Sequence, residues 1–188
     1  MKLSIIIPVF NEEKTILRIV DKLREAKIPV NYEIIIVDDG STDTTRDKLK
    51  KIKGANIILH NKNQGKGAAV KTGILNAKGD YILIQDADLE YDPRQIKDLL
   101  KPILENRAKI VFGTRLNRMP HLNQEEAKHL FIIHYFGNRF LSLITSILYW
   151  QWITDMETCY KLFPKKAVSS ININAKGFEF EPEITSKL

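Results

Sequence analysis

Five short apolar runs punctuate the first 115 residues, and each stops abruptly at polar side chains. Residues 3–10, 32–37, 55–59, 81–85 and 110–114 are rich in Ile, Val and Leu. Each has strand length and is bounded by turn residues. Between them lie helical patterns. Residues 14–26 place apolar side chains at 16, 17, 19, 20 and 23, and residues 42–52 and 67–77 also read as helices. Asp92-Pro93-Arg94-Gln95 opens another, with Asp as N-cap and Pro in the first turn. Strands that are apolar throughout are buried on both faces, and helices between them make the sheet parallel. The expected fold is therefore α/β, a Rossmann-like, mainly parallel sheet flanked by helices on both faces. A chain of 188 residues can bury a sizeable core as one domain. Its single cysteine, Cys159, excludes an intrachain disulfide and fits a reducing compartment.

In such sheets ligands bind outside the carboxyl ends of the strands. Four polar clusters fall there: Asn11-Glu12-Glu13, Asp38-Asp39-Gly40-Ser41, Asn63-Gln64-Gly65-Lys66-Gly67 and Asp86-Ala87-Asp88. Asp86 and Asp88 can converge on one hard cation, Mg²⁺ or Mn²⁺, with Glu90 completing the shell. Such a metal clamps a diphosphate and offsets charge on a leaving group. The competing reading is a solvated acidic turn. Asp38 and Asp39 can accept hydrogen bonds from a nucleobase or ribose, or Asp39 can cap the helix near Thr42. Gly65-Lys66-Gly67 precedes a helix, whose N-terminus together with Lys66 favours phosphate.

Other chemistries are disfavoured. The Gly-Lys-Ser/Thr of a P-loop is absent, and Val70 stands where a dinucleotide fingerprint needs its third glycine. The four histidines lack zinc spacing, and no Gly-x-Ser-x-Gly elbow occurs. A net charge of +6 favours anionic partners. The lysines are scattered over helices rather than gathered with aromatics, which argues against nucleic acid.

After residue 115 the pattern changes. Residues 116–127 read as a polar loop and 130–153 as a long helical pattern. The segment 140–153 is strongly apolar and holds Trp150 and Trp152, as a buried helix or one lying in a membrane interface does. No run reaches the length of a membrane span, and the N-terminus lacks a signal-peptide core. Residues 154–163 read as extended, and 177–188 as a loop with three glutamates leading into a helix.

Together these motifs resemble the family 2 glycosyltransferases, which have the GT-A fold. The resemblance rests on residues 5–13, 37–43, 63–67 and 79–90 in that order. Within the family, Gly113-Thr114-Arg115 and residues 154–163 are most similar to the dolichyl- and polyprenyl-phosphate sugar synthases. The resemblance spans the whole chain as one catalytic domain. It implies a nucleotide-sugar half at 1–115 and an acceptor half at 116–188, the latter shorter than in most members. It implies an inverting, metal-assisted transfer of a hexose from a nucleotide sugar to a polyprenyl phosphate. GDP-mannose is the first expectation for the donor and UDP-glucose the second, and a saccharide hydroxyl is the alternative acceptor. Pro8, Phe10 and Glu12 would line the nucleoside pocket, Asp38 would meet the base, and Lys66 would lie near the nucleotide. Asp86, Asp88 and Glu90 would hold Mg²⁺ or Mn²⁺ and the diphosphate. Arg115 would reach a phosphate, and Asp155 would sit on the acceptor side. Arg139, His134 and Lys161 would contact the acceptor phosphate. The implied setting is cytoplasmic, peripheral on the cytoplasmic face of the membrane.

Overall fold

The computed structural model describes residues 1–114, 128–156, 158–169, 171, 173–177 and 179–188. The first apolar run is β1, Lys2–Val9, and it becomes the axis of a six-stranded sheet. β2 (Asn31–Asp38) and β4 (Tyr81–Ile84) flank it in parallel, with Ile5 opposite both Ile34 and Leu83. β3 (Asn56–Leu59) pairs in parallel outside β2. Beyond β4 lie β6 (Lys161–Pro164) and then β5 (Val111–Phe112). β6 runs antiparallel to both neighbours, so it is the strand that opposes the others.

The chain first builds outward from β1 to β2 and β3, through α1 (Ile16–Glu25) and α2 (Thr45–Leu49). After α3 (Lys66–Asn76) it returns to the other side of β1 and lays down β4. That reversal opens a crevice at the carboxyl ends of β1 and β4. Leu3, Ile5 and Ile7 point to one face, where they meet Ile19 and Leu23 of α1 and Leu100 of α4 (Ile96–Leu104). Ile6, Ile35 and Val37 point to the other, against Val70 of α3 and Phe180 of α7 (Phe180–Lys187). Both faces are covered, as the apolar strands require.

Most expected elements appear within a few residues of their sequence bounds. Asp92 caps as expected, its Oδ1 accepting from Arg94 N at 3.0 Å, and a single tight turn at Pro93–Gln95 leads into α4. The helix expected over 42–52 contracts to α2. The Asn11 carboxamide accepts from Thr42 N at 2.8 Å, and the Glu13 carboxylate accepts from Thr44 N at 3.2 Å. Those amides stitch two loops together instead of extending the helix. The long pattern near 130–153 forms α5 (Lys128–Tyr149), and α6 (Lys165–Ser169) follows β6. Among the described residues no helix is long and apolar enough to cross a membrane.

α3 lies directly on β1. A Cβ at Gly73 would stand 2.4 Å from Ile6 Cγ2, and Ile6 is fully buried. Gly73→Ala should therefore lower the unfolding free energy by about 1–2 kcal/mol, overpacking outweighing the gain in helix propensity. Urea denaturation checks this, and an unchanged or higher midpoint would refute the close approach.

Candidate active site

The crevice at the switch point is a cleft of about 440 Å³, and its wall includes Pro8, Phe10, Glu12, Asp39, Lys66, Asp86 and Asp88. β1 delivers Pro8 and, one residue beyond its end, Phe10, which is 43 % exposed. The loop after it turns at Asn11, which has a φ of 57°, and is fastened by Asn11 N donating to Ser41 Oγ at 2.9 Å. Glu12 holds the start of α1 by accepting from Thr15.

Asp39 and Asp38 part company. Asp39 lines the cleft wall, and its carboxylate accepts from Gly65 N at 2.7 Å and Gln64 N at 3.0 Å, with His60 Nδ1 at 2.7 Å. It thus shapes the 63–65 loop rather than capping the helix after Thr42. Asp38 is fully buried, pairs with Arg46 Nε at 2.7 Å and accepts from Ser41 N at 3.3 Å. The structure does not bring the Asp38 carboxylate to the cleft, where the nucleobase contact was expected.

The N-terminus of α3 is also used internally. Gly65 has a φ of +96°, and a Cβ there would lie 2.3 Å from the Lys176 carbonyl oxygen. That same oxygen accepts from Ala68 N at 3.2 Å. The Gly65 and Ala68 amides are therefore taken by Asp39 and by a strap at 173–177. Glu183 ties the strap to α7, accepting from Asn174 N at 3.0 Å and Ala175 N at 2.7 Å.

Lys66 is the hub of a buried charge network. Its Nζ lies 2.8 Å from Asp86 Oδ1 and 3.2 Å from Glu181 Oε1, and it donates to Cys159 Sγ at 2.9 Å. Burial alone would depress its pKa, but Asp86, then Cys159 and Glu181, outweigh it and hold the ammonium well above the ordinary lysine range. Burial, then Asp86 and Glu181, push the Cys159 thiol up, so it is neutral and no nucleophile at neutral pH. The other Glu181 oxygen meets Lys161 Nζ at 2.5 Å. Lys161 is fully buried and also donates to the Thr158 carbonyl. The structure thus holds Lys161 away from solvent, not where an acceptor phosphate could reach it.

Asp88 is exposed and lines the cleft, and its Oδ1 accepts from Glu90 N at 2.9 Å. Glu90 is exposed and is not part of the cleft wall. Among the described residues no three His, Cys, Asp or Glu side chains converge as a ready metal cage. Of the three expected ligands, Asp86 and Asp88 lie on the cleft, and two carboxylates are what Mg²⁺ or Mn²⁺ uses when substrate phosphates and water complete the shell.

Asp155 and Arg139, expected on the acceptor side, are not part of this cleft wall. Asp155 is 1 % exposed, accepts from Asn138 Nδ2 at 2.8 Å, and lines a second cavity of about 540 Å³ with Phe112, Trp152 and Thr185. From residue 137 on, α5 is inside out for a globular protein. Asn138, Ser142, Thr145 and Ser146 are buried, and two of them hold the following segment: Ser142 Oγ accepts from Met156 N, and Ser146 Oγ from Ile153 N. Phe140, Ile147 and Leu148 face outward with Trp150, 92 % exposed, and Trp152. The reading of this stretch as a buried helix is thereby replaced by an outward apolar face. Arg139 is exposed and borders a depression with Phe140 and Trp152. Arg115 and the His134 side chain lie outside the described residues.

Comparison with known proteins gives the site a context. Residues 4–171 match the family described as glycosyl transferase family 2. A dolichol-phosphate mannosyltransferase of Pyrococcus furiosus is 35 % identical over 196 residues, covering 100 % of this chain and 53 % of its own length. A UDP-N-acetylglucosamine–dolichyl-phosphate N-acetylglucosaminyltransferase of Methanococcus voltae is 32 % identical, covering 93 % of this chain and 75 % of its own. The crystal structure of glucosyl-3-phosphoglycerate synthase from Mycobacterium tuberculosis, with Mn²⁺, UDP and phosphoglyceric acid, superposes with a TM-score of 0.73 at 20 % identity. It covers 96 % of this chain and 61 % of the synthase, and it shows that the fold is GT-A.

Two outcomes follow from the network and the strap. Glu181→Ala leaves two buried lysines short of a counter-charge and should cost about 3–5 kcal/mol, measurable by chemical denaturation; a loss below 1 kcal/mol would contradict the network. Glu183 is held down to about 2, chiefly by the Asn174 amide and then by Lys187 and the Ala175 amide. Its folded pKa lies below the unfolded value, so its hold on the strap is complete above the ordinary carboxylate range and fades as pH falls towards 2. A carboxyl NMR titration should place its midpoint near 2; a midpoint above 4 would rule this out.

Proposed function

Since the chain belongs to glycosyl transferase family 2, we propose that it transfers a hexose from a nucleoside-diphosphate sugar to a polyprenyl phosphate of the dolichyl type. The observation that carries this reading is the meeting of Phe10, Lys66, Asp86 and Asp88 on one cleft at the switch point. Mannose from GDP-mannose is the first choice, in keeping with the relative from Pyrococcus furiosus, and glucose from UDP-glucose the second. Residues 1–115 then hold the donor and 116–188 face the acceptor.

Phe10 offers an exposed ring against the base, with Pro8 and Glu12 beside it. Asp39 acts indirectly, by fixing the 63–65 loop that forms the cleft wall. Asp86 and Asp88 face the diphosphate, and alone they would repel it. They are the residues that would hold Mg²⁺ or Mn²⁺, with Glu90 close behind. When bound, the metal offsets the charge that grows on the departing nucleoside diphosphate. Lys66 supplies a positive charge at the same wall. An acceptor phosphate oxygen attacks the anomeric carbon as the bond to the diphosphate oxygen breaks, which inverts that centre.

A phosphate monoester is largely ionised at neutral pH, so no proton need be removed. Asp155, buried and tied to Asn138, therefore orients groups on the acceptor side. Arg115 and Arg139 are the cations assigned to the acceptor phosphate. The outward apolar face of α5, with Trp150 and Trp152, suits contact with a lipid surface, which would make the protein peripheral on the cytoplasmic face of the membrane.

Calorimetry with GDP-mannose and UDP-glucose, with and without Mn²⁺, tests the donor. Metal-dependent binding of one donor should weaken roughly tenfold to a hundredfold in Asp88→Ala, the range for losing a charged contact. Failure of both donors to bind would remove the reading. For the acceptor, Asp155→Asn should leave the pH profile of transfer without a lost carboxylate limb. Disappearance of such a limb would instead support a hydroxyl acceptor with Asp155 as base.

A further inference from the structure

Lys66 stands where the cleft would otherwise need a cation. Its Nζ is 2.8 Å from Asp86 Oδ1, and the side chain is only 13 % exposed. The bridge commits Asp86, one of the two expected metal carboxylates on the cleft, to the protein itself. Behind it, Glu181 is unevenly satisfied. Its Oε2 takes Lys161 at 2.5 Å. Its Oε1 is buried and, among the described residues, lacks a hydrogen-bond partner, although Lys66 Nζ stands 3.2 Å away. The ammonium is near that oxygen but not aligned with it. A second acceptor is thus ready within a small rotation of the Lys66 side chain. Glu181 belongs to α7, and the neighbouring Phe180 presses on the start of α3, its Cβ lying 3.0 Å from where a Cβ on Gly67 would be.

We propose that Lys66 is a resident counter-cation that changes partner. Without metal it neutralises Asp86; when a divalent cation takes Asp86, the ammonium turns onto Glu181 Oε1 and tightens the hold of α7 and the 173–177 strap on residues 65–68. The inference rests on the reading of Asp86 and Asp88 as metal carboxylates. Lys66 is here a positioning residue, acting through Asp86 and Glu181. Its charge opposes metal entry until it moves, and Glu181 is what makes the move favourable. Without that second acceptor, a displaced ammonium would be left buried and unpaired.

Mn²⁺ alone, followed by the spin resonance of the free ion, tests this on the full chain. Lys66→Met should bind Mn²⁺ about tenfold more tightly than the parent, and Glu181→Gln several-fold more weakly. In the double variant the Glu181→Gln effect should vanish, because there is no ammonium left to receive. A simple loss of negative charge near the metal predicts that the effect persists. Mn²⁺ should also slow amide exchange in α7 of the parent but not of Glu181→Gln, a readout that stands even if Lys66→Met fails to fold. Binding that depends on Asp88 but is unchanged or weaker in Lys66→Met, or a Glu181→Gln effect that survives in the double variant, overturns the partner change alone. No Asp88-dependent Mn²⁺ binding in any of these proteins overturns the metal reading as well.

Discussion

The reversal of the chain across β1 is the constraint on which the site depends. β1 has a parallel neighbour on each side, and the connections leave it in opposite directions. Nothing can bridge the carboxyl ends of β1 and β4 from above, so a crevice stays open there. Four loops empty into it: the one after β1 with Phe10 and Glu12, the one after β2 with Asp39, the one after β3 with Asn63 and Gly65, and the one after β4 with Asp86 and Asp88. The apolar strands beneath them are buried on both faces and held in register by two ladders. Side chains at the rim therefore inherit their positions from a rigid base.

Charge balance sets the second layer of organisation. Asp86, Lys66, Glu181 and Lys161 alternate in sign through the interior behind the cleft. Such a chain is stable only as a whole, because each member is the counter-charge of the next. It also ties β6, which runs antiparallel to its neighbours, to the site. Lys161 is its first residue, and it anchors the Glu181 carboxylate that faces Lys66. β6 and α7 are thus joined to the cleft by ionic contacts as well as by packing.

The parts of this arrangement governed by local pattern were legible in the sequence. Runs such as 3–10 and 81–85 carry their own strand signal, and the polar residues after them fell at the rim as parallel topology requires. Choosing between Asp38 and Asp39 needed the strand's two-residue alternation. Ile34 and Ile36 belong to the cluster around α1 and α4, and Ile35 and Val37 to the one around α3. That parity sends Asp38 to Arg46 and leaves Asp39 on the side of Lys66. Glu181 left a fainter trace: with Thr185 four positions on, it shares the buried face of α7 with Phe180 and Ile184. Arg46 and His60 left none, since their partners are fixed only by tertiary contact. The same holds for the direction of β6, which is set after the long excursion through α5.

The strap has a kinetic consequence. Ala68 bonds to Lys176, and Gly65 and Gly67 lie beneath the backbone of Lys176 and Ala175. These contacts join segments far apart in the chain, and closing so long a loop is slow compared with forming β1, α1 and β2. During synthesis the sheet can assemble while residues 173–177 are still absent. The cleft wall at 63–67 then takes its final shape late, after most of the hydrophobic core is in place. Nascent chains would pass through a stage that is folded but whose cleft is not yet complete.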